Sequence, residues 1–101
     1  MITLEESKKF LNIDSDDDYY NDILNDFITS SKADIYQSTG VPSNFLETLK
    51  EDSDKEMIGG LYKMCQRISI SDQFYERDTT NKALLSYYIK LELAYKGAEK
   101  V

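Results

Sequence analysis

Leu61-Tyr62-Lys63-Met64-Cys65-Gln66-Arg67-Ile68, running on to Phe74-Tyr75-Glu76-Arg77-Asp78, is the stretch that decides the fold class of this chain. Apolar residues recur in it every three or four positions. With the residues upstream they predict a long helix over about 54–76, with Met57, Ile58, Leu61, Cys65, Ile68 and Tyr75 on one face. Gly59-Gly60 interrupts that helix at a cost of about 1 kcal/mol per glycine relative to alanine. The pair marks a close helix approach, a local bend, or sequence drift without function.

Working towards the N-terminus, Tyr20, Ile23, Leu24, Phe27, Ile28, Ser31 and Ile35 repeat at the same spacing and predict a second long helix, about 16–39. Asp16 to Asp18 suit its positive end, and Gly40 suits a left-handed cap. Thr3-Leu4-Glu5-Glu6 has the form of a capping box, which starts a short helix at Leu4. It ends near Leu11, because Asn12 to Asp16 is turn chemistry. Beyond Gly40, Val41 to Ser53 reads as a connection with a short helical turn over Asn44 to Leu49 that folds Phe45, Leu46 and Leu49 back on the core. Asp78-Thr79-Thr80-Asn81 separates the 54–76 helix from a last one, Lys82 to Tyr95, carrying Leu84, Leu85, Tyr88, Leu91 and Tyr95. Gly97 ends it and the charged tail frays. The expectation is therefore all-α: a small bundle of about four helices, two long and two short, in a single domain over 1–101. Ile23, Phe27, Leu61, Cys65 and Ile68 are its expected core.

Composition agrees with that reading. With 101 residues and 41% hydrophobic content there is one core, and four glycines and one proline are too few for many tight β-turns. Nineteen acidic against twelve basic side chains give a formal charge of −7, which opposes nonspecific binding to a phosphate backbone. Lys8-Lys9, Lys63-Arg67 and Lys96-Lys100 are small basic patches at most, and a solvated helix face accounts for them more simply. The lone Cys65 forms no intramolecular disulfide and reads as a small buried hydrophobe, consistent with a reducing compartment. No secretory signal and no membrane-spanning apolar run is readable.

The inventory for catalysis is thin. Without histidine there is no Ser-His or Cys-His pair, and one cysteine supplies no thiolate zinc site. Asp14-Ser15-Asp16-Asp17-Asp18 imitates the first positions of a calcium loop, but Tyr19 stands where glycine is needed and Asn25 where the distal glutamate belongs. An acidic cap on the following helix is the better reading, with no metal and no cofactor expected. Eight tyrosines and four phenylalanines suggest stacking platforms, yet Tyr62, Tyr75, Tyr88 and Tyr95 fall on apolar helix faces and serve packing or an interface.

Taken in order, the capped first helix, the acidic turn, the long helix ending at Thr39-Gly40 and the helix closing on Phe74-Tyr75-Glu76-Arg77 resemble the small phage head-tail connector family, also described as DNA-packaging or head-completion adaptors. That resemblance implies a non-enzymatic virion component, made in the host cytoplasm. It would form a homo-oligomeric ring, twelve-fold in the virion, beneath the portal protein. The ring would extend the DNA channel without binding DNA specifically, contact tail or head-completion proteins, and use no membrane. Phe74, Tyr75 and Arg77 would be architectural: an arginine at a helix C-terminus bonds its free carbonyls. By helical phase, Tyr19, Tyr36, Tyr87 and Leu93 are the residues left over for an oligomer interface. A small acidic regulatory protein, a DNA mimic for instance, also fits the charge, but its carboxylates concentrate in Asp14 to Asp18 and Glu51 to Glu56 instead of following a phosphate-like spacing.

Overall fold

The structure is a computed structural model, and it describes residues 1–77 and 80–101. Asp78 and Thr79, part of the expected spacer, lie outside the described residues. The described residues form five helices: α1 (Leu4–Phe10), α2 (Asn21–Thr39), α3 (Phe45–Thr48), α4 (Asp52–Phe74) and α5 (Lys82–Gly97). The fold is all-α, a small bundle in which α2, α4 and α5 pack on one another and α1 closes one end against α2 and α4. The connection contributes a fifth helix, one turn long, to the four expected.

Two apolar clusters make the core. Ile35, Val41, Phe45, Leu49, Ile58, Tyr62, Cys65 and Leu91 form one, and Ile2, Leu11, Leu24, Ile28 and Ile70 the other. Between them lies a polar layer. Gln66, fully buried, accepts the Ile2 N–H at 3.0 Å on Oε1 and donates through Nε2 to Ser31 Oγ at 3.1 Å. The Ser31 hydroxyl in turn donates a hydrogen bond to the Ile28 carbonyl at 2.7 Å. Each polar group in this layer is satisfied, which burial in an apolar core requires.

The buried faces differ from the expected ones by a rotation. In α2, Leu24, Ile28, Ser31 and Ile35 are buried, but Phe27 is half-buried and Ile23 is 47% exposed. In α4 the core stripe is Ile58, Tyr62, Cys65 and Ser69, with Gln66 and Ile70 beside it, while Leu61 and Ile68 are half-buried and Met57 and Tyr75 exposed. The cause is local. Tyr62 stacks on Phe45 with ring centroids 4.6 Å apart and planes 28° apart, which turns its edge of α4 inward. Leu46 and Leu85 are also exposed where burial was expected.

Helix ends follow capping chemistry. The Thr3–Glu6 capping box is formed. Helix α2 starts at Asn21, later than expected, because Asp14 to Asp18 is turned: Asp17 N–H bonds Asp14 O, Asp17 Oδ1 accepts from Tyr19 N–H, and Asn21 N–H bonds Asp18 O. Gly40 closes α2 in the left-handed region at φ 77. Helix α4 runs two residues earlier than expected at both ends. Its C-terminus is a Schellman arrangement, with Arg77 N–H on Asp72 O, Glu76 N–H on Gln73 O, and Glu76 left-handed at φ 54. A non-glycine residue there carries a Cβ penalty. Glu76→Gly should raise stability by about 1 kcal/mol in a urea titration.

Gly59 and Gly60 mark no close helix approach among the described residues. A Cβ on Gly59 would sit 3.5 Å from Met1 Cε, an ordinary contact, and one on Gly60 would meet nothing within 4 Å. Gly60 is exposed. Gly60→Ala should therefore stabilise the isolated chain by about 0.5–1 kcal/mol, read as a higher urea midpoint with unchanged slope.

The C-terminal tail is pinned, contrary to expectation. Gly97 lies within α5, Ala98 caps it, and Lys50 N–H to Glu99 O and Val101 N–H to Thr48 O join the tail to the connection. Thr48 Oγ1 and Tyr95 Oη, 2.7 Å apart, add a side-chain tie between α3 and α5.

Candidate assembly interface

A surface depression lies where α1 crosses α4. Thr3 caps α1 so that Glu6 turns back over its own N-terminus, where it accepts from Thr3 N–H at 3.3 Å, and at the same time meets Lys63 Nζ on α4 at 3.1 Å. Lys63 thereby holds the Glu6 carboxyl below its ordinary value of 4.5. The lowered value means that this bridge contributes fully above the ordinary pKa and is lost as pH falls through the lowered one. Ile2, Phe10 and Met64 line the depression, with Lys9, Lys63, Arg67 and Glu6 at the rim, around a volume of about 570 Å³. The Arg67 guanidinium lies 5.4 Å from the centre of the Phe10 ring. Three cations against one carboxylate make this a local positive site on an acidic chain.

Lys8, by contrast, contributes to no surface patch. It is 2% exposed, donates to Ser15 O at 3.1 Å, and lies 3.9 Å from Asp18 Oδ1. It holds the acidic loop against α1. In the same loop Asp18 Oδ1 accepts from Asn21 Nδ2 at 3.2 Å. Among the described residues no three His, Cys, Asp or Glu converge as metal ligands. Cys65 is fully buried, and burial pushes its thiol up to about 12. A thiol held protonated in this way is a poor nucleophile.

At the other end of α4 the aromatic-acid-arginine cluster meets Asp72. Arg77 Nη1 bonds Asp72 Oδ1 at 2.9 Å, and its guanidinium lies 5.1 Å from the Tyr75 ring centre. Asp72 Oδ2 accepts from Asn81 Nδ2 at 2.9 Å, while Asn81 Oδ1 caps α5 at the Leu84 N–H. Phe74 is half-buried and packs edge-on against Tyr20. Arg77 thus reaches a side-chain carboxylate instead of the free carbonyls expected. Asp72, which sequence reasoning passed over, links the end of α4 to the start of α5.

The residues expected at an interface are separated over the surface. Tyr19 is 84%, Tyr36 59% and Leu93 65% exposed, whereas Tyr87 is half-buried and packs against the core cluster built around Tyr62. Leu93 belongs to a row that sequence reasoning left incomplete: Leu85, Ile89 and Leu93, spaced by four on α5, are all exposed. Their spacing was visible, but nothing in it says which apolar arc of α5 faces water.

An apolar row turned to solvent, such as Leu85, Ile89 and Leu93, marks a surface suited to contact with other proteins. Residues 1–90 match the family described as phage gp6-like head-tail connector protein. The chain belongs to this family. A head-tail connector is a structural component of the phage particle, not a catalyst, so this connector works among other phage head and tail proteins. No curated protein and no solved structure matches the chain. Among the described residues of the connector, no helix is long and apolar enough to cross a membrane.

Proposed function

We propose that this chain forms a closed ring beneath the portal, twelve-fold in the virion, that extends the DNA channel and presents the surface on which the tail docks. Family membership carries the reading, and the exposed Leu85–Ile89–Leu93 row supports it. A ring of identical subunits uses two unlike patches per subunit. Two contacts of standard size take about 800 Å² each from every subunit, roughly a quarter of the 6357 Å² of surface. Rows that cross several helices are needed to supply that area. Tyr19, Tyr36, Tyr87 and Leu93 belong to these contacts, and Phe74, Tyr75 and Arg77 hold the end of α4 in place. The charge of −7 suits a channel wall along which DNA slides without sticking.

The charge also makes free subunits repel one another, so assembly strengthens with concentration, with salt, or on the portal. Light scattering over a range of salt and protein concentration, with and without the portal protein, tests this. Ring-sized particles are the expected result. Monomer under every condition, with no portal binding, would remove the ring and favour the acidic regulatory module.

A further inference from the structure

The groove between α1 and α4 has a counterpart elsewhere on the same chain. Apolar Ile2, Phe10 and Met64 line it together with Lys9, Lys63, Arg67 and the single carboxylate of Glu6, which Lys63 already pairs. Lys9 and Arg67 are exposed, and among the described residues neither has a carboxylate within ion-pair distance. Where the chain enters α2 the pattern is inverted. Tyr19, in the turn that precedes the helix, and Ile23, in its first turn, stand exposed at 84% and 47%, and Asp22 and Asp26 on α2 are exposed as well. Neither aspartate is ion-paired among the described residues. One surface is an apolar trough edged with cations; the other is an apolar ridge edged with anions.

We propose that the α1/α4 groove receives the Tyr19–Asp22–Ile23–Asp26 ridge of a second copy of this chain, with Lys9 and Arg67 facing Asp22 and Asp26. This deepens the ring reading and rests on it. Two copies of net charge −7 repel at long range, so a stable contact between them needs a site where that sign is locally reversed, and the groove supplies one. The two patches are unlike and lie on different elements of each subunit. With groove and ridge engaged by different neighbours the contact is heterologous, and repeating it builds a ring or a filament in place of a two-fold dimer. The ridge also gives Ile23 a role, since an isoleucine on a helix that already has a complete buried face contributes little to the core.

Charge reversal tests the pairing. K9E/R67E inverts the groove and D22K/D26K inverts the ridge, all four at exposed positions, and thermal melts check that each variant folds. Sedimentation velocity, with and without the portal protein, reads association. Each variant alone should lose roughly tenfold or more in self-association. Mixing the two, or combining all four changes in one chain, should restore it, because every groove then meets a ridge of opposite sign. If wild type assembles and both variants assemble equally well, the interface lies elsewhere; the ring stands and this pairing is overturned. Loss without recovery on mixing also overturns it, as does loss of portal binding with self-association intact, which would assign the groove to the portal. If wild type never self-associates, even on the portal, the pairing and the ring reading fall together.

Discussion

Tyr62→Ala should cost about 3–5 kcal/mol, a large share of the about 5–15 kcal/mol that keeps a chain of this size folded. Tyr62 is fully buried in the larger cluster, where its ring stacks on Phe45 of the connection. Truncation removes apolar contact from two directions and opens a cavity that neither the rigid α4 backbone nor the short α3 turn can close. The hydroxyl behaves differently. Tyr62 Oη finds no hydrogen-bond partner among the described residues, and burial raises its pKa to about 12, so it stays neutral and unsatisfied. Tyr62→Phe keeps the ring and removes the orphaned group. That variant should match or exceed wild type by up to about 1 kcal/mol in equilibrium urea unfolding. A large loss in the phenylalanine variant would mean that the hydroxyl has a partner after all.

Gln66→Ala should be nearly as damaging, about 2–4 kcal/mol by the same titration. Its side chain makes two buried hydrogen bonds, one to the backbone at Ile2 and one to Ser31 on α2. Without it the Ile2 N–H is left unpaired in a buried position, and an unsatisfied buried donor carries most of its desolvation penalty. Ser31 keeps a partner in Ile28 O, so the loss falls mainly on the N-terminal segment. Hydrogen exchange at Ile2 and in α1 should accelerate more than in α5. Uniform acceleration across all helices would show that Gln66 acts only through global stability. Phe27→Ala, a core substitution by periodicity, should cost clearly less than either, because Phe27 is half-buried at the edge of the smaller cluster.

These three residues show how far the sequence could be read. Helical spacing locates α2 and α4 and picks out Leu24, Ile28, Ile35, Ile58 and Cys65, because only one helix face repeats at three and four. It fails by a fraction of a turn where the buried face includes polar residues. Gln66 and Ser69 are counted as surface by any hydropathy pattern, so the apparent apolar face of α4 swings towards Met57, Leu61 and Ile68. Lys8 misleads in the same way: its aliphatic stem is buried while its ammonium reaches the Ser15 carbonyl. Asp16 to Asp18 suit the start of α2 because acidic residues favour a helix N-terminus, but short carboxylates also bond their own backbone, and here the turn wins.

The interface was less legible than the fold. Phase within one helix finds Tyr19, Tyr36 and Leu93 as apolar residues off the core face. The α1/α4 groove depends on a contact between Glu6 and Lys63, far apart in sequence, and on Ile2 reaching Gln66. Only the folded chain joins Lys9 to Lys63 and Arg67. The capping box is what places Glu6 for that contact, so a purely local signal at Thr3 helps to shape a surface that spans two helices.

The central claim is that this chain joins phage heads to tails. Electron microscopy of particles made by the encoding phage with this gene deleted tests it most directly. The expected picture is unjoined heads, with free tails beside them and infectivity restored when the protein is supplied in trans. Complete, infectious tailed particles from the deletion would contradict the claim.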